Sequence, residues 1–191
     1  MPRQEGSKAT DQSESEPVRS DCCLLLMDDT IGEHMIALKI LKGDATSPQA
    51  KGIKIIAHIC NDQGKWGKGF VLALSARWDQ PEQAYRDWHH NRAENDFGLG
   101  AVQFVQVEPY IWVANMVAQH GVKGSSRTPP IRYEAVQQCL NKVAQKAQEI
   151  DASVHMPRIG CGLAGGKWER IEPLIVQALC EKDVAVTVYD F

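Results

Sequence analysis

The sequence predicts a three-layer α/β fold with a mixed sheet of about six strands, and three observations carry that expectation. From residue 36 onward, short β-branched runs alternate with longer amphipathic stretches. Two strand-to-helix junctions are dense in glycine; one of them, at 160–166, holds four glycines in seven residues. The composition, 43% hydrophobic and 24% charged over 191 residues, supplies the core of one domain and not of two.

Taken in order, residues 1–20 (MPRQEGSKATDQSESEPVRS) carry almost no large apolar side chain and cannot offset their ordering entropy. They are expected to be disordered, within an N-terminal extension at 1–34 that precedes a folded domain at 35–191. Strands are predicted at 36–41 (IALKIL), 53–59 (IKIIAHI), 101–107 (AVQFVQV), 111–118 (IWVANMVA), 152–156 and 184–189. Helices are predicted at 70–76, 81–90, 131–150 and 167–180. In the third, Val136, Leu140, Val143, Ala147 and Ile150 fall on one face. His89 and His90 end a charged helix and are expected to be exposed, whereas Trp78, Trp88 and Trp112 are assigned to packing.

Charge and cysteine content exclude several classes. A formal net charge of -3 offers no basic stripe for a nucleic-acid backbone, so no direct nucleic-acid sequence recognition is expected. The six cysteines (Cys22, Cys23, Cys60, Cys139, Cys161, Cys180) form no CxxC and no metal-like spacing with histidine. A reduced, cytoplasmic protein without a metal is the simplest reading. The apolar run from Cys22 to Met27 is too short for a signal-peptide core or a membrane span.

The glycine-rich turns CNDQGKWGKGF (60–70) and MPRIGCGLAGG (156–166) each follow a strand and lead into a helix. In an open α/β sheet, ligands bind beyond the carboxyl ends of the strands, where free backbone N–H groups hold phosphate oxygens. Neither turn is a Walker A loop, and neither fits the dinucleotide fingerprint with its acidic ribose ligand. The pattern points to a nucleotide diphosphate clasped between two loops, with no cofactor.

Together with LKGDAT (41–46) and the ending VTVYDF (186–191), these stretches resemble, in family order, the macrodomain family of ADP-ribose-binding modules over roughly residues 36–191. Within the family the chain is similar to a branch with three kinds of member. These are a terminal glycohydrolase of glutamate-linked ADP-ribose, the yeast ADP-ribose-1''-phosphate phosphatase and the macrodomain of a chromatin remodeller. The resemblance implies a three-layer α/β/α fold whose partner is ADP-ribose or a derivative, with ADP-ribosylated proteins as a further partner.

By that resemblance Asp44 and Ala45 hold the adenine, since a carboxylate accepts from an amine that only donates. Asp44 is also a natural turn cap. Asn61 would contact the distal ribose or cap its own turn. Gly67, Lys68, Gly69 and Phe70 match the first phosphate-and-ribose loop, and Gly160, Cys161, Gly162, Leu163, Ala164 and Gly165 match the second. Cys161 would act through its backbone and not as a nucleophile. Trp66 either covers the distal ribose or staples its loop to the domain. Tyr189 and Phe191 either stack on the adenine or pack in the core.

The glutamate-linked glycohydrolases of the branch use a lysine and an aspartate whose positions here are Ser75 and Ala164. Serine cannot form an amine adduct, and alanine is neither acid nor base. Asp62 and, after it, His120 are the candidates for a water-orienting or basic group, with Lys68 also within reach of the distal ribose. Hydrolysis of a distal-ribose substituent (a 1''-phosphate, an acetyl ester or a protein-linked ester) is the leading expectation. A non-catalytic reader of ADP-ribose is the alternative.

Overall fold

The computed structural model describes residues 36–123 and 128–190. The expected extension at 1–34 and the terminal Phe191 lie outside the described residues. The elements run β1 (Lys39–Lys42), β2 (Ile53–Asn61), α1 (Phe70–Ser75), α2 (Gln80–His90), β3 (Val102–Glu108), β4 (Ile111–Gln119), α3 (Tyr133–Glu149), β5 (Ala152–Pro157), α4 (Trp168–Ala178) and β6 (Val186–Asp190). One turn of 3-10 helix, Cys180–Lys182, links α4 to β6.

The six strands form one sheet in the order β1-β6-β5-β2-β4-β3. Every neighbouring pair is parallel except β3 with β4, which is the mixed α/β architecture expected from the sequence. Because the central strands are covered on both faces, β2 reads as a nearly unbroken apolar run instead of an alternating one. In register, Ile55 sits opposite Val154 and Ile56 opposite His155.

α3 and α4 cover one face. Val136, Leu140, Val143, Ile171 and Ile175 are fully buried there with Ile55, Val154, Met156 and Val188. On the other face, Leu74 of α1 and the Trp78 after it pack on Ile56 and Val113. Tyr85 and Trp88 of α2 pack beside them on Cys60 and Val117. Trp78 and Trp88 are therefore packing residues, as is Trp112, which lies against the larger cluster.

Several boundaries differ from expectation by one to three residues, most of them by one or two. β1 starts at Lys39, not at residue 36. α3 starts at Tyr133, because Ile131 bridges Gln119 in β4 and donates its amide to the Ala164 carbonyl at 3.1 Å. α4 ends at Ala178, and Cys180 belongs to the 3-10 turn. His89 is half-buried with its ring edge-on to Phe97 at 5.0 Å, while His90 is exposed as expected. Among the described residues no helix is long and apolar enough to cross a membrane.

Candidate functional site

The two glycine-rich loops leave the carboxyl ends of β2 and β5, which are adjacent and parallel, so both emerge on the same edge of the sheet. Between them lies a cleft of about 620 Å3, a volume suited to a nucleotide-sized ligand. A register shift between Cys60 and Asn61 re-aims the chain where β2 ends and the first loop begins. The loop is then folded around the Asn61 side chain. Its Oδ1 accepts from the amides of Gln63 and Lys65, each at 3.0 Å, and its Nδ2 donates to the Lys65 carbonyl. The buried Tyr85 hydroxyl donates to the Asn61 carbonyl from beneath.

Trp66 fastens the middle of this loop. Its indole N–H donates to Ser75 Oγ at 2.8 Å, and Ser75 in turn donates to Glu82 Oε2 at 3.0 Å. Its ring stands edge-on to His58 at 5.4 Å. The turn into α1 passes through Gly69 at φ 77, a left-handed conformation that side chains rarely adopt.

The second loop is pinned from within and behind. Gly166 donates to the Gly160 carbonyl at 2.8 Å and Gly165 to the Gly162 carbonyl at 2.9 Å. A Cβ on Gly160 would meet Ile131 Cδ1 at 2.9 Å and Ile59 Cδ1 at 3.2 Å, so the loop can lie this close to the sheet only as glycine. The two loops meet across the cleft, where Leu163 Cδ1 lies 3.5 Å from the Cβ position of Gly69.

The donors and charges of this cleft favour an anion. Among the described residues no acceptor takes the amide hydrogens of Lys68, Gly69 and Phe70 in one loop, or of Gly162, Leu163 and Ala164 in the other. Among the described residues, Lys65, Lys68, Lys123 and Arg158 line the cleft, and no Asp or Glu does. Arg158 is held in a bidentate pair by Asp190 and lies 4.6 Å over the Trp168 ring. The pair holds the Asp190 carboxyl below its ordinary value and raises the Arg158 guanidinium.

Comparison with known proteins decides the family. No family model matches the chain. A solved macrodomain protein from Streptomyces coelicolor is 61% identical, covers 81% of this chain and 99% of its own, and superposes with a TM-score of 0.74. The chain belongs to the macrodomain family. Chromodomain-helicase-DNA-binding protein 1-like of Danio rerio is 32% identical over 162 residues, 80% of this chain, and the match spans only 15% of that relative's length. An ADP-ribose 1''-phosphate phosphatase of Lodderomyces elongisporus is 24% identical over 165 residues, covering 81% of this chain and all of that relative.

The macrodomain brings some of the residues singled out in its sequence together and places others apart. Asn61, Trp66, Gly67, Lys68, Gly69, Phe70, Gly160, Gly162, Leu163 and Ala164 line the cleft. Cys161 and Gly165 belong to the second loop but do not line it, and burial raises the Cys161 thiol above its ordinary value. Asp44 and Ala45 stand beyond the end of β1, outside the lining. There the Asp44 carboxylate accepts from the Thr46 amide and hydroxyl, each at 2.8 Å, and caps a turn. Tyr189 is buried beside Gly43, with its hydroxyl 3.1 Å from His155 Nδ1.

Asp62 and His120 form a pair at the cleft's rim. His120 Nδ1 lies 2.6 Å from Asp62 Oδ2, and the Gly121 amide donates to Asp62 Oδ1 at 2.8 Å. Neither lines the cleft, though their neighbours Asn61, Gln119, Val122 and Lys123 do.

Sequence reasoning assigned no role to Arg158, Lys65, Lys123 or His58, all of which line the site. Arg158 lies inside the quoted second motif, and Lys65 inside the first. Lys123 could have been found from β4, which must run beside β2 for Gln119 and His120 to reach the same edge. His58 forms part of the floor. It is 2% exposed, and its Nε2 donates to Asn115 Oδ1 at 2.6 Å, because Asn115 Nδ2 is already engaged by Pro81 and Gln103 oxygens. Burial lowers its pKa to about 4, so the imidazole is neutral in the folded protein at neutral pH.

Proposed function

We propose that this macrodomain binds ADP-ribose in the cleft, with the diphosphate against the free amides of both loops, and hydrolyses a substituent on the distal ribose. The observation that carries the reading is the cleft itself. Two glycine loops present unsatisfied N–H groups from both sides of a site that, among the described residues, is lined by four cations and no carboxylate. Such a site suits a dianionic linker and holds it without a metal ion. The name of the Lodderomyces relative, a phosphatase of ADP-ribose 1''-phosphate, supports the same substrate class.

The strand order supports one direction for the ligand. Along the sheet edge the chain ends occur in the sequence Asp44 after β1, Asp190 on β6, Arg158 after β5, Asn61 on β2 and Gln119 on β4. An adenine directed toward Asp44, with Tyr189 beside it, places the distal ribose at Asn61. Among the described residues no carboxylate lines the cleft, and the groups nearest to it that can move a proton are Asp62 and His120 at the rim. ADP-ribosylated proteins fit as partners because the distal end faces that rim. A cytoplasmic setting agrees with the free thiols of Cys60, Cys139, Cys161 and Cys180.

A second reading, a reader that binds without turnover, is favoured by one observation. Ser75 is consumed in the link from Trp66 to Glu82, and Ala164 is 5% exposed with no functional group, so neither supplies chemistry. Titration with ADP-ribose followed by incubation with ADP-ribose-1''-phosphate, acetylated ADP-ribose and a glutamate-ADP-ribosylated protein separates the two. Product release in any arm supports the hydrolase, and binding without release supports the reader.

A further inference from the structure

Within the reading of the cleft as an ADP-ribose site, we infer that Arg158 is the side chain that reads the phosphate on the adenosine side of the diphosphate, and that Asp190 and Trp168 aim it. The site then separates phosphorylated adenosine ligands from adenosine by a guanidinium as well as by loop amides.

Arg158 stands where β5 ends and the second loop begins, and Trp168 stands where that loop enters α4. The guanidinium carbon lies 4.6 Å from the centroid of the Trp168 ring, so the stack closes the base of the loop. Asp190, at the end of β6, accepts from Nε at 2.5 Å and from Nη2 at 2.8 Å. Ring and carboxylate together fix the position and the plane of the guanidinium. Among the described residues no acceptor takes the hydrogens of Nη1, and Arg158 lines the cleft. The cleft therefore holds an oriented cation with N–H groups left to donate.

Lys65, Lys68 and Lys123 differ in this respect. Among the described residues none of them is in an ion pair, and each ammonium is a point charge on a flexible stem. They favour any anion, whereas Arg158 presents its donors in one direction. A guanidinium already held in place loses little freedom when a ligand arrives, so it discriminates better than a mobile charge.

Its place along the sheet edge selects the phosphate. β5 lies between β6 and β2, so Arg158 stands between the Asp44 end and Asn61. With the adenine toward Asp44, the phosphate carried by the adenosine is the nearer of the two to Arg158. Asp190 links the two parts of that half of the site. Its carbonyl accepts from the Gly43 amide at 2.9 Å, one residue before Asp44, while its carboxylate holds Arg158. The adenine turn and the phosphate donor are thus registered on one residue of β6.

The test titrates ADP-ribose, AMP and adenosine into the full chain and its variants, with a thermal melt of each. Adenosine binding is followed by ligand-observed NMR, which reports weak association. Arg158→Gln should bind ADP-ribose and AMP about 10–100-fold more weakly, by the same factor for both, and adenosine as the unaltered chain does. Arg158→Lys should recover only part of that loss, because an ammonium cannot make the bidentate pair and face the cleft at once. Asp190→Asn should weaken both phosphorylated ligands by a smaller factor, again without moving adenosine. Unaltered ADP-ribose affinity in Arg158→Gln would overturn the inference. So would an equal loss for adenosine, which marks a merely structural role. Should Arg158→Gln fail to fold, the same comparison of ligands in Arg158→Lys decides. Failure of the unaltered chain to bind ADP-ribose would instead remove the cleft reading, and the role of Arg158 with it.

Discussion

Gly162 and Gly166 stand four residues apart in the second loop and separate ligand binding from folding. A Cβ at Gly162 meets nothing within 4 Å, because the position opens into the cleft. Gly162→Val should therefore leave the melting temperature unchanged while weakening ADP-ribose binding by about 100-fold or more, about 2.7 kcal/mol, measured by calorimetry beside a thermal melt. At Gly166 a Cβ would sit 2.6 Å from the Gly160 carbonyl, the acceptor of its own amide, so substitution there should damage the loop itself. Asp44 poses the same question at the proposed adenine end of the site. Its carboxylate caps Thr46, so Asp44→Ala should cost both stability and affinity. Asp44→Asn keeps an oxygen for the Thr46 amide but replaces an acceptor by a donor. The expected result is a nearly unchanged melt with affinity reduced by about 1–2 kcal/mol. Unchanged affinity would remove Asp44 from the adenine site.

At the scale of the elements, Ile131 is the hinge between scaffold and loop. It is 3% exposed, bridges β4, and packs where Gly160 has no side chain. Ile131→Ala should cost about 2–4 kcal/mol in denaturant unfolding and lower ligand affinity as well, since it removes the wall against which the second loop rests. A variant that loses stability without losing affinity would show that the loop needs no such wall. Ile131 also shows why a boundary escaped sequence reading. Its apolar spacing continues that of α3, yet a long-range bridge to Gln119 claims it, and no local pattern reveals a partner in another strand. The strands themselves were legible because β-branched runs such as IKIIAHI are buried on both faces, and the helices because Val136, Leu140 and Val143 repeat at helical spacing. The glycine loops were legible as motifs. The cationic lining was not, because Lys65, Lys123 and Arg158 come from three connections, and the Arg158–Asp190 pair spans 32 residues.

Across the whole molecule, charge is distributed against its sum. The chain carries -3 in total, yet among the described residues four cations and no carboxylate line the cleft, so the local field there favours an anion despite the net charge. Two buried histidines set the pH range of stability. Burial lowers both His58 and His155 to about 4, with Lys54 adding to the effect at His155. Between about pH 6.5 and 4 the unfolded chain binds protons that the folded one refuses, so stability is full above that window and is lost as pH falls through it. Denaturant unfolding should lose roughly 1.5 kcal/mol per histidine between pH 6.5 and 5, and His58→Asn or His155→Asn should each flatten that slope. A slope unaffected by either substitution would place the titration elsewhere. The central claim is that the two glycine loops form one ADP-ribose diphosphate site. It is tested most directly by calorimetric titration of ADP-ribose into the unaltered chain and into Gly162→Val at neutral pH. The account predicts saturable one-to-one binding by the first and its loss in an equally stable second. Equal affinity in both, or no binding by the unaltered chain, would contradict it.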